Sequence, residues 1–500
     1  MNKVLLYNPR SAVAKYRIPN SIMNIAASID GVYEWVLVDG NCEKDPYGKI
    51  KSYLGTGDYK YIGFTIMPGP QTKQAIPFSQ KLKEEFPGTV MIWGGYFPTN
   101  HYKVVLDSGY VDFVINGPGD HAFPQLIDAL ENNKPYELIK NLIYRPENNV
   151  VIKNSKQDLI EQDTLPPLPY NKLDEFYPIN KYLGKTYLGN KTLAYHSSIG
   201  CPFTCSFCAV VPTYEARWKA KSAEHVYGDI KYIKDKWGAD AIEFHDNNFF
   251  VSEKRAVAFA KLIRPEKMSW WGMARIDTMD KFKDESLSLM REAGCKIIFF
   301  GAESGNDKVL HQLDKGGTQT GEQILSFAER LKKYDIIPEY SFVLGTPAPT
   351  PAEVMAQIEF DINFIKKVKA INPNTEIVLY TYSPVPTEGS DLYKEVLATG
   401  FTYPQKLEDW INPQWERFDM RKNPLTPWLT PEMIDRIRDF ETVLNGYYPT
   451  ISDIRLNNSK RWLMKLIAGM RYRINFYQYP YEIKLLQWLW KYRQPEIQGF

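Results

Sequence analysis

Short apolar runs alternate with longer amphipathic stretches along the first 145 residues. The apolar runs predict buried strands at 3–9, 35–40, 61–71, 91–100 and 111–120. The intervening segments, such as PNSIMNIAASI and TKQAIPFSQKLKEEFP, predict helices. Strands that alternate with helical stretches of this length are typical of a parallel α/β sheet. We therefore expect a doubly wound, Rossmann-like domain over residues 1–145.

The same alternation resumes after a proline-rich segment, LPPLPY at 165–170. Each proline lacks a backbone donor and restricts the residue before it, which favours an ordered linker over 146–190. A second α/β domain is then expected over 191–400, and a helical C-terminal domain over 401–500, where the alternation stops. The second domain has six predicted strands, at 192–198, 241–246, 270–275, 296–303, 338–345 and 376–382.

Composition narrows the class of protein. The 500 residues include 61 basic and 59 acidic side chains, a net charge of +2, so no global charge favours nucleic acid as a partner. Five cysteines, three of them clustered, indicate a reducing compartment rather than a disulfide framework. No run of 18 apolar residues and no signal-peptide core is found, so a soluble cytoplasmic protein is expected.

The clustered cysteines lie in SSIGCPFTCSFC at 197–208, where Cys201, Cys205 and Cys208 have the spacing C-x3-C-x2-C. Thiolates this close in sequence can reach one inorganic centre, and cysteines ligate iron–sulfur clusters. Three cysteines on a four-iron cluster leave one iron open. The alternative is a structural zinc site, with His196 or Cys295 as fourth ligand, although neither has a usual zinc-finger spacing.

The cysteine spacing resembles that of the radical S-adenosylmethionine (SAM) superfamily. The resemblance implies a partial (β/α)6 barrel and a [4Fe-4S] cluster whose open iron chelates the amino and carboxylate groups of SAM. One-electron reduction then cleaves SAM to a 5′-deoxyadenosyl radical, which requires an electron donor such as a reduced flavodoxin or ferredoxin. Phe207 matches the aromatic residue that lies near the adenine in this family.

Polar residues follow the later strands of the second domain, at the edge where barrels of this sort hold their chemistry. By resemblance, Asp246 and Asn247 would face the amino group of SAM, and Arg275 its carboxylate, a pairing that suits a guanidinium. Glu303 and Ser304 would lie beside the ribose. The alternative for each residue is a structural salt bridge or a helix cap.

The strand ends of the first domain are rich in glycine. Ligands bind at such ends in open α/β sheets, and glycine lets the backbone approach a large flat molecule, although it also simply makes tight strand exits. The segments GFTIMPGPQ, WGGYFPT and DFVINGPGD look like the cobalamin-binding domain of one radical SAM class. That resemblance implies cobalamin contacts by Thr65, Gly69, Gly94, Gly95, Gly117 and Gly119.

One motif of cobalamin proteins is absent. The histidine-ligand motif D-x-H-x-x-G is not found at Asp39-Gly40-Asn41, so no histidine from this domain is expected on cobalt. Pro118 also departs from the commoner acidic residue of the family's G-x-G stretch.

The resemblance implies a cobalamin-dependent radical SAM enzyme that methylates an unactivated carbon, and the aromatic C-terminus favours a hydrophobic small molecule as the substrate. The first alternative is oxidative cyclisation or rearrangement with the same cofactors, as in the anaerobic porphyrin cyclase branch. A non-catalytic, zinc-stabilised binding module is the alternative from another class. Methylthiolation of tRNA is disfavoured, because that relative is expected to carry an extra cysteine-bearing domain and Cys42 and Cys295 are too isolated to supply one.

The C-terminal residues 455–500 combine nine basic and two acidic side chains with an aromatic, apolar helix face. Such a helix can lie on an anionic membrane surface, or its apolar face can cap the barrel. A hydrophobic substrate such as an isoprenoid lipid or a tetrapyrrole fits either arrangement. The predicted apolar face consists of Trp462, Leu463, Leu466, Ile467 and Met470.

Overall fold

The computed structural model describes residues 3–11, 16–146, 150–315, 319–416, 418 and 425–492. Two of the residues counted in the basic C-terminal stretch, Arg493 and Glu496, lie outside these ranges. Within the described part of the chain, none of the helices combines the length and the apolar character needed to cross a bilayer.

The N-terminal part forms a seven-stranded sheet with helices packed on it. The strands are β1 (Lys3–Asn8), β2 (Trp35–Asp39), β3 (Tyr59–Thr65), β4 (Val90–Gly94), β5 (Phe113–Ile115), β6 (Leu142–Tyr144) and β7 (Ile152–Lys153). The helices are α1 (Asn20–Ile29), α2 (Pro46–Leu54), α3 (Thr72–Glu85), α4 (Tyr96–Asn100), α5 (Tyr102–Asp107) and α6 (Ala122–Glu131). The strand order is β2-β1-β3-β4-β5-β6-β7.

The first five strands are parallel, and β6 and β7 are antiparallel additions. Central strands are apolar on both faces because helices cover both sides, as in β1, where Val4 through Tyr7 are fully buried. The predicted doubly wound fold is confirmed. Strand β7 lies within the predicted linker, so the sheet extends past residue 145.

Residues 150–190 form an ordered connection that packs on the first sheet. Besides β7 they contain α7 (Tyr170–Phe176). The Tyr182 hydroxyl donates to Asp39 Oδ2 at 2.7 Å, and the Asp39 N–H donates to the Tyr177 oxygen at 3.2 Å. The proline-rich segment at 165–170 is therefore followed by residues that two buried tyrosines hold against the first sheet.

The second sheet carries the cysteine loop. Its region contains β8 (Thr192–Tyr195), β9 (Ser198–Gly200), β10 (Trp218–Ala220), β11 (Ala241–Phe244), β12 (Ser269–Ala274), β13 (Cys295–Glu303), β14 (Ile337–Leu344) and β15 (Glu376–Thr381). Six strands form one parallel sheet in the order β15-β14-β13-β12-β11-β8, while β9 and β10 pair separately as an antiparallel ribbon.

Helices alternate with these strands as the sequence predicts. They are α8 (Val210–Tyr214), α9 (Ala223–Trp237), α10 (Glu253–Ile263), α11 (Ile276–Met279), α12 (Asp284–Glu292), α13 (Asp307–Gln312), α14 (Gly321–Lys333), α15 (Pro351–Ile371) and α16 (Asp391–Ala398). Hydroxyl side chains cap the first turns of α9, α10, α14 and α15, and Thr350 with Glu353 forms a complete capping box on α15. These caps fix where the loops at the carboxyl edge of the sheet end.

The C-terminal part contains α17 (Pro413–Glu416), α18 (Pro431–Tyr447), α19 (Asn458–Arg473) and α20 (Tyr481–Leu489). It contacts both α/β regions. Trp410 packs against Phe97 of the first, with ring centroids 5.0 Å apart. Trp428 donates from Nε1 to the Gly345 carbonyl oxygen at 2.9 Å, just past the end of β14. The helical C-terminus is confirmed, and its tryptophans bind it to both sheets.

Candidate active site

The cysteine loop follows β8 and is held by the segments that follow two other strands. The Ser206 N–H donates to the Leu313 carbonyl oxygen at 3.1 Å, beyond β13. The Thr387 hydroxyl donates to the Ser206 carbonyl oxygen at 2.6 Å, beyond β15. Three parts of the carboxyl edge therefore fix the loop between Cys205 and Cys208.

The three thiols are largely enclosed, and cations lie close to them. Burial raises the pKa of Cys201 and raises that of Cys208 to about 12. The charges of Arg275 and Lys315 act in the opposite direction on Cys201. Because metal binding displaces the thiol protons, this setting fits thiolates that carry a bound centre beside two fixed cations.

Among the described residues, no group of three or more His, Cys, Asp and Glu side chains is arranged around a single ion. The cysteines of a cubane each bind a different iron, so their sulfur atoms do not converge on one point. Cys295 is the first residue of β13 and so lies at the amino edge of the sheet, opposite the loop. It is therefore excluded as a fourth zinc ligand.

Arg275, just after β12, is bound to protein groups on most sides. Its Nε and Nη2 donate to the two oxygens of Asp277 at 2.9 and 2.8 Å. Nη2 also donates to the Lys315 carbonyl oxygen at 2.7 Å, and Nη1 donates to Cys205 Sγ at 3.0 Å. The structure thus places this guanidinium against a cysteine sulfur, and its pairing with a SAM carboxylate stays a prediction.

Asp246 holds the start of the cysteine loop. Its carboxylate accepts the Ser197 N–H and hydroxyl, both at 2.5 Å, and the Ser198 N–H at 2.8 Å. Arg255 donates to the same Ser197 hydroxyl oxygen at 2.6 Å. These contacts give Asp246 a positioning role, because they fix the backbone just before Cys201. Its predicted contact with the SAM amino group stays a prediction.

Asn247 joins the two α/β regions. Its Oδ1 accepts from the Tyr96 hydroxyl of the first region at 3.0 Å. The Tyr96 ring also lies 6.4 Å from that of Tyr214, at the end of α8. Tyr96 therefore lies between the strand ends of the first sheet and the cysteine loop, a contact that no sequence motif predicted.

Glu303, the last residue of β13, has a strained backbone. Its φ is +62°, a left-handed conformation that is costly for this residue type and is often found at functional sites. The side chain folds back over Gly301, where a Cβ atom would lie 2.2 Å from Glu303 Oε1. Lys315 donates to the same Oε1 at 3.2 Å, and Ser341 donates to Oε2 at 3.4 Å. The strained carboxylate is thus fixed at the barrel edge, and its ribose role stays a prediction.

Ser304 is paired with a buried acid that the sequence did not suggest. Its hydroxyl donates to Asp361, on α15, at 2.8 Å to Oδ1 and 2.9 Å to Oδ2, and the Gly305 N–H donates to Oδ1 at 2.8 Å. Burial raises the pKa of Asp361 to about 7, against the opposing effect of these hydrogen bonds. Ser304 therefore anchors the turn after Glu303, and its ribose contact stays a prediction.

Asp361→Asn is expected to remove a pH dependence of stability. The folded pKa of Asp361, about 7, lies above its unfolded value, so the folded state retains a proton that the unfolded state loses. Wild-type stability should fall as the pH rises from about 4 to about 7, by at most ~1.4 kcal/mol per pH unit, and then level off. Thermal melting of wild type and Asp361→Asn at several pH values across this range tests the prediction. Melting temperatures that change with pH in the same way in both proteins would contradict the raised pKa of Asp361.

Phe207 is half-buried and packs against the main hydrophobic core. Its predicted proximity to an adenine stays a prediction. Other polar groups at this edge have no partner within the described residues, namely the hydroxyls of Ser198 and Ser383 and both amide atoms of Asn248. They follow β8, β15 and β11. Buried polar atoms without partners are costly, so this edge fits a polar ligand such as SAM.

The carboxyl edge of the first sheet lies directly against α8, which follows the cysteine loop. Gly117, with φ of +99°, is so close that a Cβ atom there would lie 3.1 Å from the Thr213 carbonyl oxygen. The buried Asn116 beside it has neither amide atom paired within the described residues. This edge therefore has unused hydrogen-bonding capacity next to the cysteine loop.

The other predicted residues of this edge have contacts within the protein. A Cβ atom at Gly95 would lie 2.7 Å from the Ile66 carbonyl oxygen, and one at Gly119 would lie 2.7 Å from Ile25 Cδ1 on α1. The Gly69 carbonyl accepts from the Thr72 N–H and hydroxyl, and Thr65 pairs with Gly94 across β3 and β4. Tight packing accounts for these glycines, and their contact with cobalamin stays a prediction.

The second α/β region, with its cysteine loop, matches a known family of proteins. Residues 195–365 match the radical SAM superfamily, a span that begins at the end of β8 and ends within α15. An uncharacterised methyltransferase of Pyrococcus horikoshii is 27% identical over 368 residues, 72% of this chain and 77% of that protein. An anaerobic magnesium-protoporphyrin IX monomethyl ester cyclase of Synechocystis is 25% identical over 309 residues, 60% of this chain and 57% of the cyclase.

Two solved structures share almost the whole fold. The cobalamin-dependent SAM radical enzyme OxsB, solved with aqua-cobalamin and SAM bound, matches with a TM-score of 0.71 and 15% identity over 95% of this chain and 72% of that one. The radical SAM methyltransferase TsrM from Kitasatospora setae matches with a TM-score of 0.66 and 13% identity over 98% and 99%. Residues 195–365 of this chain form a radical SAM domain, and the chain as a whole has the fold of these two radical SAM enzymes, each solved with cobalamin bound.

Proposed function

We propose that this protein is a cobalamin-dependent radical SAM methyltransferase that acts on an unactivated carbon. Cys201, Cys205 and Cys208 would hold a [4Fe-4S] cluster, and the barrel edge would hold SAM. Cobalamin would lie at the carboxyl edge of the first sheet. When bound, these groups supply a 5′-deoxyadenosyl radical, which removes a hydrogen atom from the substrate, and a methyl group relayed from a second SAM.

One observation carries the proposal: the two candidate cofactor edges adjoin. Gly117 touches the helix that follows Cys208, and the Tyr96 hydroxyl bonds Asn247 on the barrel side. Relay of a methyl group to a carbon radical requires both centres to reach one substrate atom. An arrangement in which the edges faced apart would not support this reaction.

The chain's own residues have defined tasks in this scheme. The guanidinium of Arg275 would place a positive charge beside the sulfur of Cys205. This charge stabilises the anionic thiolate that binds the cluster. Asp246 fixes the loop before Cys201, and Glu303 presents a rigid carboxylate that suits a ribose hydroxyl pair. Aromatic packing around the joint between the two regions, including Tyr96 and Tyr214, would limit water near the radical.

Oxidative cyclisation or rearrangement is the second candidate. The 25% identity to the anaerobic porphyrin ester cyclase favours it, whereas the likeness to named methyltransferases favours methylation. For either reaction we propose a hydrophobic small-molecule substrate, such as a lipid or a tetrapyrrole, and a flavodoxin or ferredoxin as electron donor. We propose no nucleic-acid partner for either reaction, because a net charge of +2 does not favour one.

Anaerobic reconstitution tests the proposed cofactors directly. The full chain is treated with iron, sulfide and hydroxocobalamin, desalted, and measured by ultraviolet–visible spectroscopy. Retained corrinoid bands together with a broad cluster absorption are expected. With SAM and a strong reductant, 5′-deoxyadenosine should form. A cluster without corrinoid would contradict the role of the first domain, and neither cofactor would contradict the whole proposal.

Asn116→Leu separates cobalamin binding from folding. Leucine has a similar volume and removes two buried polar atoms that lack partners, so the apo protein should be as stable as wild type or up to ~2 kcal/mol more stable. Cobalamin retention should fall roughly tenfold through the loss of one or two hydrogen bonds. Thermal melting and corrinoid absorbance after desalting measure the two effects. Increased stability with unchanged retention would show that Asn116 does not contact cobalamin.

A further inference from the structure

Helix α19 exposes an apolar row on the side that faces away from the core. Trp462, Leu466 and Met470 follow one another at four-residue spacing and are 66%, 61% and 71% exposed. The opposite side of the helix, which includes Met464 and Ala468, is buried against the rest of the C-terminal part. Three of the five residues of the predicted apolar face are therefore in contact with solvent, whereas Ile467 of the same face packs against the main core.

Helix α20 repeats this arrangement. Leu485, Trp488 and Leu489 are 55%, 74% and 55% exposed, while Ile483 on the other side is fully buried. Ile483 packs on α18, since a Cβ atom at Gly446 would lie 3.2 Å from its Cγ2. Both helices thus bury one side against α18 and present apolar residues outward.

The two exposed rows lie side by side because the helices are antiparallel neighbours. At one end, Arg471 near the end of α19 is paired with Glu482 at the start of α20, with Nη2 and Oε2 3.2 Å apart. At the other end, the Lys460 ammonium lies 5.7 Å from the centroid of the Trp490 ring. The exposed residues of both helices form one surface, which we call the α19–α20 face. Contiguous apolar surfaces of this kind mark interaction sites.

The charge of this region indicates which partner fits. Residues 458–492 contain seven basic side chains and one acidic side chain. Lys465, Arg473, Lys484 and Lys491 are exposed on the same two helices or at their ends. Lysine is depleted in interfaces between proteins, whereas basic residues beside tryptophan and leucine are typical of helices that lie in a lipid interface. An anionic lipid surface is complementary to both the charge and the apolar row.

We infer that the α19–α20 face docks on an anionic bilayer surface, with both helices parallel to the membrane plane. Trp462, Met470 and Trp488 would enter the boundary between headgroups and acyl chains, and the cations would contact lipid phosphates. The inference goes beyond the proposed function and does not depend on it, because docking requires neither cofactor nor substrate.

Flotation of the full chain with vesicles tests the inference. The protein should float with vesicles of phosphatidylcholine and phosphatidylglycerol, less with phosphatidylcholine alone, and less as salt is added. The variant Trp462→Ser/Met470→Ser/Trp488→Ser should bind at least roughly a hundredfold more weakly. Leu138→Ser is the matched control, since Leu138 is 92% exposed in the first domain and should not affect binding.

A charge variant provides an independent measurement. Arg473→Gln/Lys491→Gln should weaken binding to the anionic vesicles by about fivefold per cation, and leave the weak binding to phosphatidylcholine unchanged. It keeps the apolar surface intact, so it decides the question if the triple serine variant fails to fold, as judged by circular dichroism.

Two outcomes would overturn the inference. The first is wild-type protein that stays with the soluble fraction in the presence of anionic vesicles at low salt. The second is a dimer in sedimentation velocity that the triple serine variant converts to a monomer, because the α19–α20 face would then be covered by a second copy.

Discussion

Cys205→Ala is expected to abolish binding of the cluster and all cleavage of SAM. Cys205 is the central cysteine of the loop, and its sulfur accepts the Arg275 donor at 3.0 Å. Its loss leaves two thiolates, too few to hold a four-iron cluster with one open site. Iron and acid-labile sulfide per chain, measured after anaerobic reconstitution, should fall to background, and 5′-deoxyadenosine should be undetectable.

Two cysteines outside the loop provide matched controls for this variant. Cys42 is half-buried in the first domain, and Cys295 lies buried at the amino edge of the barrel sheet. Cys42→Ala and Cys295→Ala should both retain iron and sulfide. Iron retained by Cys205→Ala, or zinc bound by wild type with Cys295 required, would refute the cluster assignment.

Arg275→Met is expected to destabilise the protein even without any cofactor. The side chains of Arg275 and Asp277 are only 7% and 3% exposed, so removing the guanidinium leaves a buried carboxylate without its main counter-charge. Breaking a buried pair in this way costs about 3–5 kcal/mol. Thermal melting of the apo protein should show a midpoint lowered by several degrees, because each kcal/mol of lost stability lowers the midpoint by about a few degrees in a protein of this size.

A second substitution and a surface pair test the cause of this effect. Arg275→Met/Asp277→Asn should recover much of the loss, because no uncompensated charge remains. Arg264 pairs with Glu292 at 2.9 Å, but both are about half exposed, so Arg264→Met should change stability by less than ~1 kcal/mol. Equal effects of Arg275→Met and Arg264→Met would contradict the importance of burial.

The strands were predictable because their apolar runs are long and their ends are polar. The six predicted strands of the barrel region all appear, shortened by one to three residues at some ends, as with 192–198 against Thr192–Tyr195. Strands β6 and β7 were missed, since runs of three and two residues give no periodic signal. Helix α2 was missed because its polar sequence KIKSYL resembles a loop.

The polar partners in the site were harder to predict than the strands. Lys315 lies in a loop twelve residues after Glu303, and Asp361 lies within α15, so neither follows a strand directly. Spacing along the chain cannot reveal pairs that form only when separate elements pack together. The hydrogen bond of Tyr96 was missed for the same reason, because its partner Asn247 lies 151 positions away along the chain. Single residues at strand ends were identified, but what they contact was not.

The path of the C-terminal segment has a consequence for the lifetime of any complex formed between the two sheets. Trp410 packs against aromatic rings of the first region, and Trp428 donates a hydrogen bond to the loop after β14 in the second. The two tryptophans therefore tie the C-terminal segment to both sheets. Loss of either contact should therefore make local opening of this joint more frequent, and shorten the residence time of a molecule held between the sheets without changing any group that contacts it.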